Sequence, residues 1–128
     1  MTLEFHTQHE AADAQFARVD TVSIIATGTQ STTAYLGGRA PIRLLVPGGW
    51  SSTAAIVHFD IADTAGSYYP LWASGTAYTV AAGSGQAVSV DPTKFYGVKY
   101  IRLLGTKARG TAVAQTTACT VSVVSRLI

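Results

Sequence analysis

Hydrophobic and polar residues alternate along most of this chain with a period of two, the mark of strands that bury one face and expose the other. From Val22 the pattern is regular, with Val22, Ile24 and Ala26 on one side and Ser23, Ile25 and Thr27 on the other. A second run, Ala40 to Val46, sends Ile42, Leu44 and Val46 inward and Arg43 outward. Pro41 has no amide hydrogen, so it belongs at the start of that strand or on an edge. A third run, Ala54 to Ala62, offers Val57, Phe59 and Ile61 to a core and Ile56, His58 and Asp60 to the opposite face. Tyr78 with Val80, and Val88 with Val90, open two short strands. Val98 to Leu104 then sets Ile101 and Leu103 against Val98, Tyr100 and Arg102, a face of mixed ring, apolar and basic character suited to a partner or a second layer. In the closing run, Ala118 to Ile128, Cys119, Val121 and Val123 alternate with Thr120 and Ser122.

Pro47-Gly48-Gly49-Trp50, Asp63 to Ser67, Gly83-Ser84-Gly85 and Asp91-Pro92 punctuate these runs with residues that favour turns. No long helical period interrupts them; Glu10 to Arg18 tolerates a helix but has only Phe16 as a large apolar anchor. Short strands separated by turns roughly 8 to 15 residues apart predict an all-β chain. The expected architecture is an antiparallel β-sandwich of the jelly-roll type with about eight strands. Residues 1–20, where only Leu3 and Phe5 alternate, are expected to form an extended N-terminal arm, and residues 21–128 the sandwich domain.

Composition narrows the class. The 128 residues suit one domain with a core of its own. They are 48% hydrophobic and only 12% charged, against about 25% for ordinary soluble domains, and such a surface repels its neighbours weakly. The single cysteine, Cys119, excludes an internal disulfide and a multi-cysteine metal site. No apolar run reaches the roughly 18 residues of a membrane helix. The start MTLEFHTQHE lacks signal-peptide architecture, so synthesis in a cytoplasm and no membrane partner are expected. A net charge of +2 is too small to imply nucleic acid. It is nevertheless polarised: Glu4, Glu10, Asp13 and Asp20 face only Arg18 at the beginning, while Lys94, Lys99, Arg102, Lys107, Arg109 and Arg126 face only Asp91 at the end. The two ends attract each other, within a subunit or between subunits.

The search for chemistry ends without a catalytic constellation. His6, His9, Glu10 and Asp13 lack the i, i+4 histidine pair of a helical zinc motif and read as solvated arm residues. His58 and Asp60 share one strand face, where a surface pair near Arg43 explains them. Asp60 and Asp63 point to opposite faces of an extended strand and make no carboxylate pair. Gly83-Ser84-Gly85 does not have the spacing of a nucleophile elbow, and no phosphate or dinucleotide loop exists. No enzyme, metal or cofactor is expected. The basic run interleaved with Phe95, Tyr96 and Tyr100 resembles a single-strand stacking surface, but apolar alternation explains the same rings as core. Nucleic acid is therefore not an expected partner. Trp50, Tyr68, Tyr69 and Trp72 fall in or beside loops, where they either close the end of the sandwich or anchor an interface or a sugar.

Several stretches resemble small β-sandwich virion proteins of tailed bacteriophages. They are Asp13-Ala14-Gln15, Tyr35-Leu36-Gly37, LLVPGGW at 44–50, IVHFDIADTAGSYYPL at 56–71, SVDPTKFYGVKYIRLLG at 89–105, Ala114-Gln115 and the last strand up to Arg126. The resemblance implies a capsid decoration or cement protein, made in the bacterial cytoplasm. It would bind the outside of the head, with the major capsid protein and itself, as dimer or trimer, for partners. Leu3 and Phe5 on the acidic arm, with Trp50, Tyr68, Tyr69, Trp72, Lys99, Arg102 and Arg109, are then the candidate contact residues. VKYIRLLG also resembles the penultimate strand of galactose-binding-like jelly rolls, although the loops carry no acidic cluster of a calcium-supported lectin. That implies the alternative, a carbohydrate-binding module of a phage tail fibre or baseplate acting through Trp50, Tyr69 and Trp72.

Overall fold

A computed structural model describes residues 17–107 and 111–127. The long strands are β1 (Ala17–Ile24), β3 (Arg39–Leu45), β4 (Ile56–Ala62), β10 (Tyr100–Thr106) and β11 (Cys119–Leu127). Between them run the shorter β2 (Ala34–Tyr35), β5 (Tyr69–Pro70), β6 (Trp72–Ala73), β7 (Thr76–Ala77), β8 (Thr79–Ala81) and β9 (Ala87–Ser89). Every pairing is antiparallel. One sheet has the order β1-β11-β3-β9; the other runs β2-β10-β4, with β5 and β8 sharing the far edge of β4.

Setting aside β5, β6 and β7, eight strands remain among the described residues, and their pairing has a simple rule. The first pairs the last, the second the last but one, the third β9 and the fourth β8. That is a long antiparallel hairpin rolled into two facing sheets, the jelly roll. The protein is therefore an all-β, antiparallel jelly-roll sandwich, and the strands above the expected eight all belong to an excursion between β4 and β8.

Alternation fills the core. Val22, Ile24, Leu44, Val121 and Val123 from one sheet meet Val57, Phe59, Ile101 and Leu103 from the other, all essentially without solvent contact. Cys119 is a buried member of this set. A 3₁₀ turn, Pro92–Phe95, inserts Phe95 edge-on against Phe59, with centroids 5.0 Å apart, and Tyr78 packs on both rings. Asp91 caps that turn by accepting from the amide and the hydroxyl of Thr93.

Three local expectations need correction. Val98 precedes β10 and is buried in the core instead of sharing the outer face of Tyr100 and Arg102, because the turn before the strand folds it inward. Pro41 lies within an interior strand, at a bulge where Ser125 pairs with Pro41 and Val124 with Arg43. The residue without an amide thus sits where the ladder is already interrupted. The first strand begins at Ala17, inside the segment assigned to the arm. Its inward positions there are Arg18 and Asp20, which pair at 2.9 Å at the end of the sandwich while Arg18 also reaches the carbonyl of Leu36, so the strand reads as polar in sequence.

Candidate functional site

The excursion between β4 and β8 brings exposed rings and hydrogen-bonding groups together on the surface. After Ala62 the chain leaves the sheet through a turn in which the Ser67 amide donates to the Thr64 carbonyl at 3.1 Å. Its third residue, Gly66, takes a φ of 88°, the left-handed value that favours glycine. The chain then returns along β4: Tyr69 pairs with Ile61, Pro70 with Asp60, and the Leu71 amide donates to the Phe59 carbonyl. Leu71 is buried and pegs the segment to the core. Trp72 begins a hairpin closed by Ser74 and Gly75, both at positive φ as a two-residue turn of this hand requires.

Two rings are thereby held outward on a fixed backbone, Tyr69 at 70% exposure and Trp72 at 61%. Tyr69 forms one wall of a depression of about 290 Å³ whose other lining residues are Ile61, Ala62, Asp63, Thr64 and Ser67. An apolar ring, a carboxylate and two hydroxyls around one hollow combine stacking with donors and acceptors. A second depression, of about 280 Å³, is lined by Ala40, Pro92, Tyr96, Arg126 and Leu127 and has Arg126 as its one charged group.

The remaining candidates are distributed as follows. Tyr68 is half-buried: the Arg102 guanidinium carbon lies 4.1 Å from its ring centroid and its hydroxyl bonds that of Thr33. Arg102 also binds Asp60 through Nε at 3.1 Å. These contacts clamp the loop that carries Tyr69 onto the outer face of the sheet, so Tyr68 and Arg102 position the site instead of lining it. Asp60 is thus committed to Arg102, and Arg43 belongs to the other sheet, which corrects the expected surface group of His58, Asp60 and Arg43. Lys99 is exposed just before β10, outside the lining of the depression.

Trp50 is not a surface anchor. It is 3% exposed, and its indole nitrogen donates to the Ala54 carbonyl at 2.7 Å. The Pro-Gly-Gly turn folds the ring over the open end of the core, against Gly105. Leu3, Phe5, Arg109 and the histidine-containing group His6, His9, Glu10 and Asp13 lie outside the described residues. Asp63, Thr64 and Ser67 were legible only as turn residues; the one available signal was a polar turn placed directly before the rings. Tyr35, 54% exposed and tilted against Tyr100 with centroids 5.2 Å apart, adds an aromatic pair to the outer face of the same sheet.

No protein-family model matches the sequence, and no curated protein does. Among solved structures, the chain is similar to the CBM32 of AlyQ in complex with 4,5-unsaturated mannuronic acid, at 13% identity and a TM-score of 0.34 over 84% of this chain and 76% of that one. It is also similar to the Yersinia pseudotuberculosis-derived mitogen YPM, at 8% identity and a TM-score of 0.33 over 88% of this chain and 86% of the other. Likeness this slight transfers no function.

Proposed function

We propose that this chain is a recognition domain that binds carbohydrate at the Tyr69 depression, as the adhesive module of a larger assembly such as a tail fibre or baseplate. The observation that carries the proposal is the convergence of a largely exposed tyrosine ring with Asp63, Thr64 and Ser67 around one hollow. A sugar presents an apolar ring face bordered by hydroxyls, and it needs that pairing of surfaces. Trp72, exposed three residues further along the same pegged segment, does not line the depression and is left outside the proposed site. A glycan array probed with the purified chain tests this. Tyr69→Ala weakens binding to the best glycan at least tenfold, about 1.4 kcal/mol, while the fold is retained. Absence of binding across the array, or equal binding by the Tyr69→Ala variant, contradicts it.

The capsid reading is favoured by a different face. Outward positions of the β1-β11-β3-β9 sheet form cross-strand rows, Val19 beside Val124 and Arg43, and Thr21 beside Ser122 and Leu45. Arg43 is the one charge in those rows, with Arg126 beside Ala17 in the next, and a face of low charge suits docking onto a shell in many copies. In this reading the partner is the major capsid protein. Leu45→Lys then lowers occupancy on isolated heads lacking the chain, measured by co-sedimentation; unchanged occupancy removes the face from consideration.

A further inference from the structure

Among the described residues β1 is an edge strand with a stretch of backbone that no other strand pairs, although Arg18 reaches from it to the carbonyls of Tyr35 and Leu36 beside β2. Its inner edge pairs β11 without interruption from Ala17–Arg126 to Ile24–Cys119. On the outer edge, Ser23 donates its amide to the Thr32 hydroxyl and accepts from the Thr32 amide, both at 2.9 Å. Ser23 therefore points both backbone groups away from β11. Backbone direction alternates along a strand, so Thr21, Val19 and Ala17 point the same way. Among the described residues nothing pairs with those three. The stretch has no lysine or proline; its guarding charges are the inward Arg18 and Asp20, which carry opposite signs and so do not repel a copy that sets each against the other. Val19 is 59% exposed at its middle.

We infer that this edge pairs with the same edge of a second copy, β1 against β1 about a two-fold axis through Val19. The register is fixed by the open window. Ala17, Val19 and Thr21 are symmetric about Val19, and Thr32 closes the strand beyond them at Ser23. Antiparallel pairing about Val19 sets Val19 opposite its own copy and Ala17 opposite Thr21, each pair exchanging two backbone hydrogen bonds. The same register sets Arg18 of one copy opposite Asp20 of the other, on the inward side, where each is about a third exposed. Opposite charges directly across an antiparallel pair stabilise it, so the segment is complementary to itself in hydrogen bonding and in charge. The two four-stranded sheets become one of eight, and the outer face of low charge doubles in width. This inference is independent of what the Tyr69 depression binds.

The test uses the full chain. Sedimentation equilibrium gives a species of twice 13.4 kDa at high concentration. Val19→Pro removes one outward amide and leaves the β11 ladder intact; it raises the dimer dissociation constant at least tenfold with an unchanged circular dichroism spectrum. Under mild oxidation Val19→Cys forms a disulfide-linked dimer, since the two positions meet on the axis, and Ala17→Cys, which faces Thr21, does not. The wild type staying monomeric, Ala17→Cys cross-linking as readily as Val19→Cys, or a folded Val19→Pro dimer of undiminished strength each overturns the proposal. So does a full chain that stays monomeric while a variant lacking residues 1–16 dimerises, which would assign the edge to the chain's own beginning.

Discussion

Gly105 shows how one missing side chain sets the position of a loop. A Cβ there would lie 3.0 Å from the Ala54 Cβ, 3.2 Å from the Trp50 Cζ2 and 3.3 Å from the Gln115 Nε2. The space left free is the space Trp50 occupies. Gln115, buried beside it, accepts from the Ser51 amide at 2.8 Å and ties the loop before β11 to the Trp50 turn. Gly105→Ala therefore crowds an indole that cannot move without losing its bond to Ala54. It lowers unfolding free energy in urea by about 1 to 3 kcal/mol. This explains why sequence misjudges Trp50: a tryptophan after Pro-Gly-Gly reads as loop decoration, and the cavity that accepts it is made by a glycine 55 positions later. Cys119, whose neighbours alternate cleanly with polar residues, was legible as core, and burial raises its thiol pKa.

At the scale of elements, the long strands were readable because each sets a polar row against an apolar one. β3, β4, β10 and β11 fall where alternation places them, to within a few residues. The two-residue strands were not readable, since they are too short to show a period: β2 and β5 exist because β10 and β4 offer them hydrogen bonds, and β6 and β7 pair only with each other across the Ser74-Gly75 turn. The 3₁₀ turn of Pro92–Phe95 is an intermediate case: Asp91-Pro92 signalled a turn but not that Phe95 would be driven into the core. The Thr93 hydroxyl and then its amide hold the Asp91 carboxyl below its ordinary value of 3.8. A carboxyl depressed by folding stabilises the folded state above its unfolded pKa and ceases to do so as pH falls through the folded one. The difference in urea midpoint between wild type and Asp91→Ala is accordingly constant above about pH 5 and closes below 3.8. A difference that widens on acidification contradicts the capping role.

For the whole molecule, the rolled hairpin explains why the surface has distinct regions. Pairing first strand with last, second with last but one, gathers β1, β11, β3 and β9 into one sheet. The one long excursion, between β4 and β8, is placed on the edge of the other sheet, where Leu71 fixes it and Tyr69 and Trp72 face solvent. Sequence pointed to Tyr69 and Trp72 because rings cluster there. It did not show the hollow, which depends on Ile61 and Ala62 meeting Thr64 and Ser67 across a turn. The most direct test of the recognition account is an amide-resolved NMR titration with the strongest glycan found on the array. The account predicts shifts concentrated at Ala62 to Trp72, saturating together and absent from the Tyr69→Ala variant. Shifts centred on Tyr96 and Arg126, or spread over the β1-β11 face with Tyr69 unmoved, would contradict it.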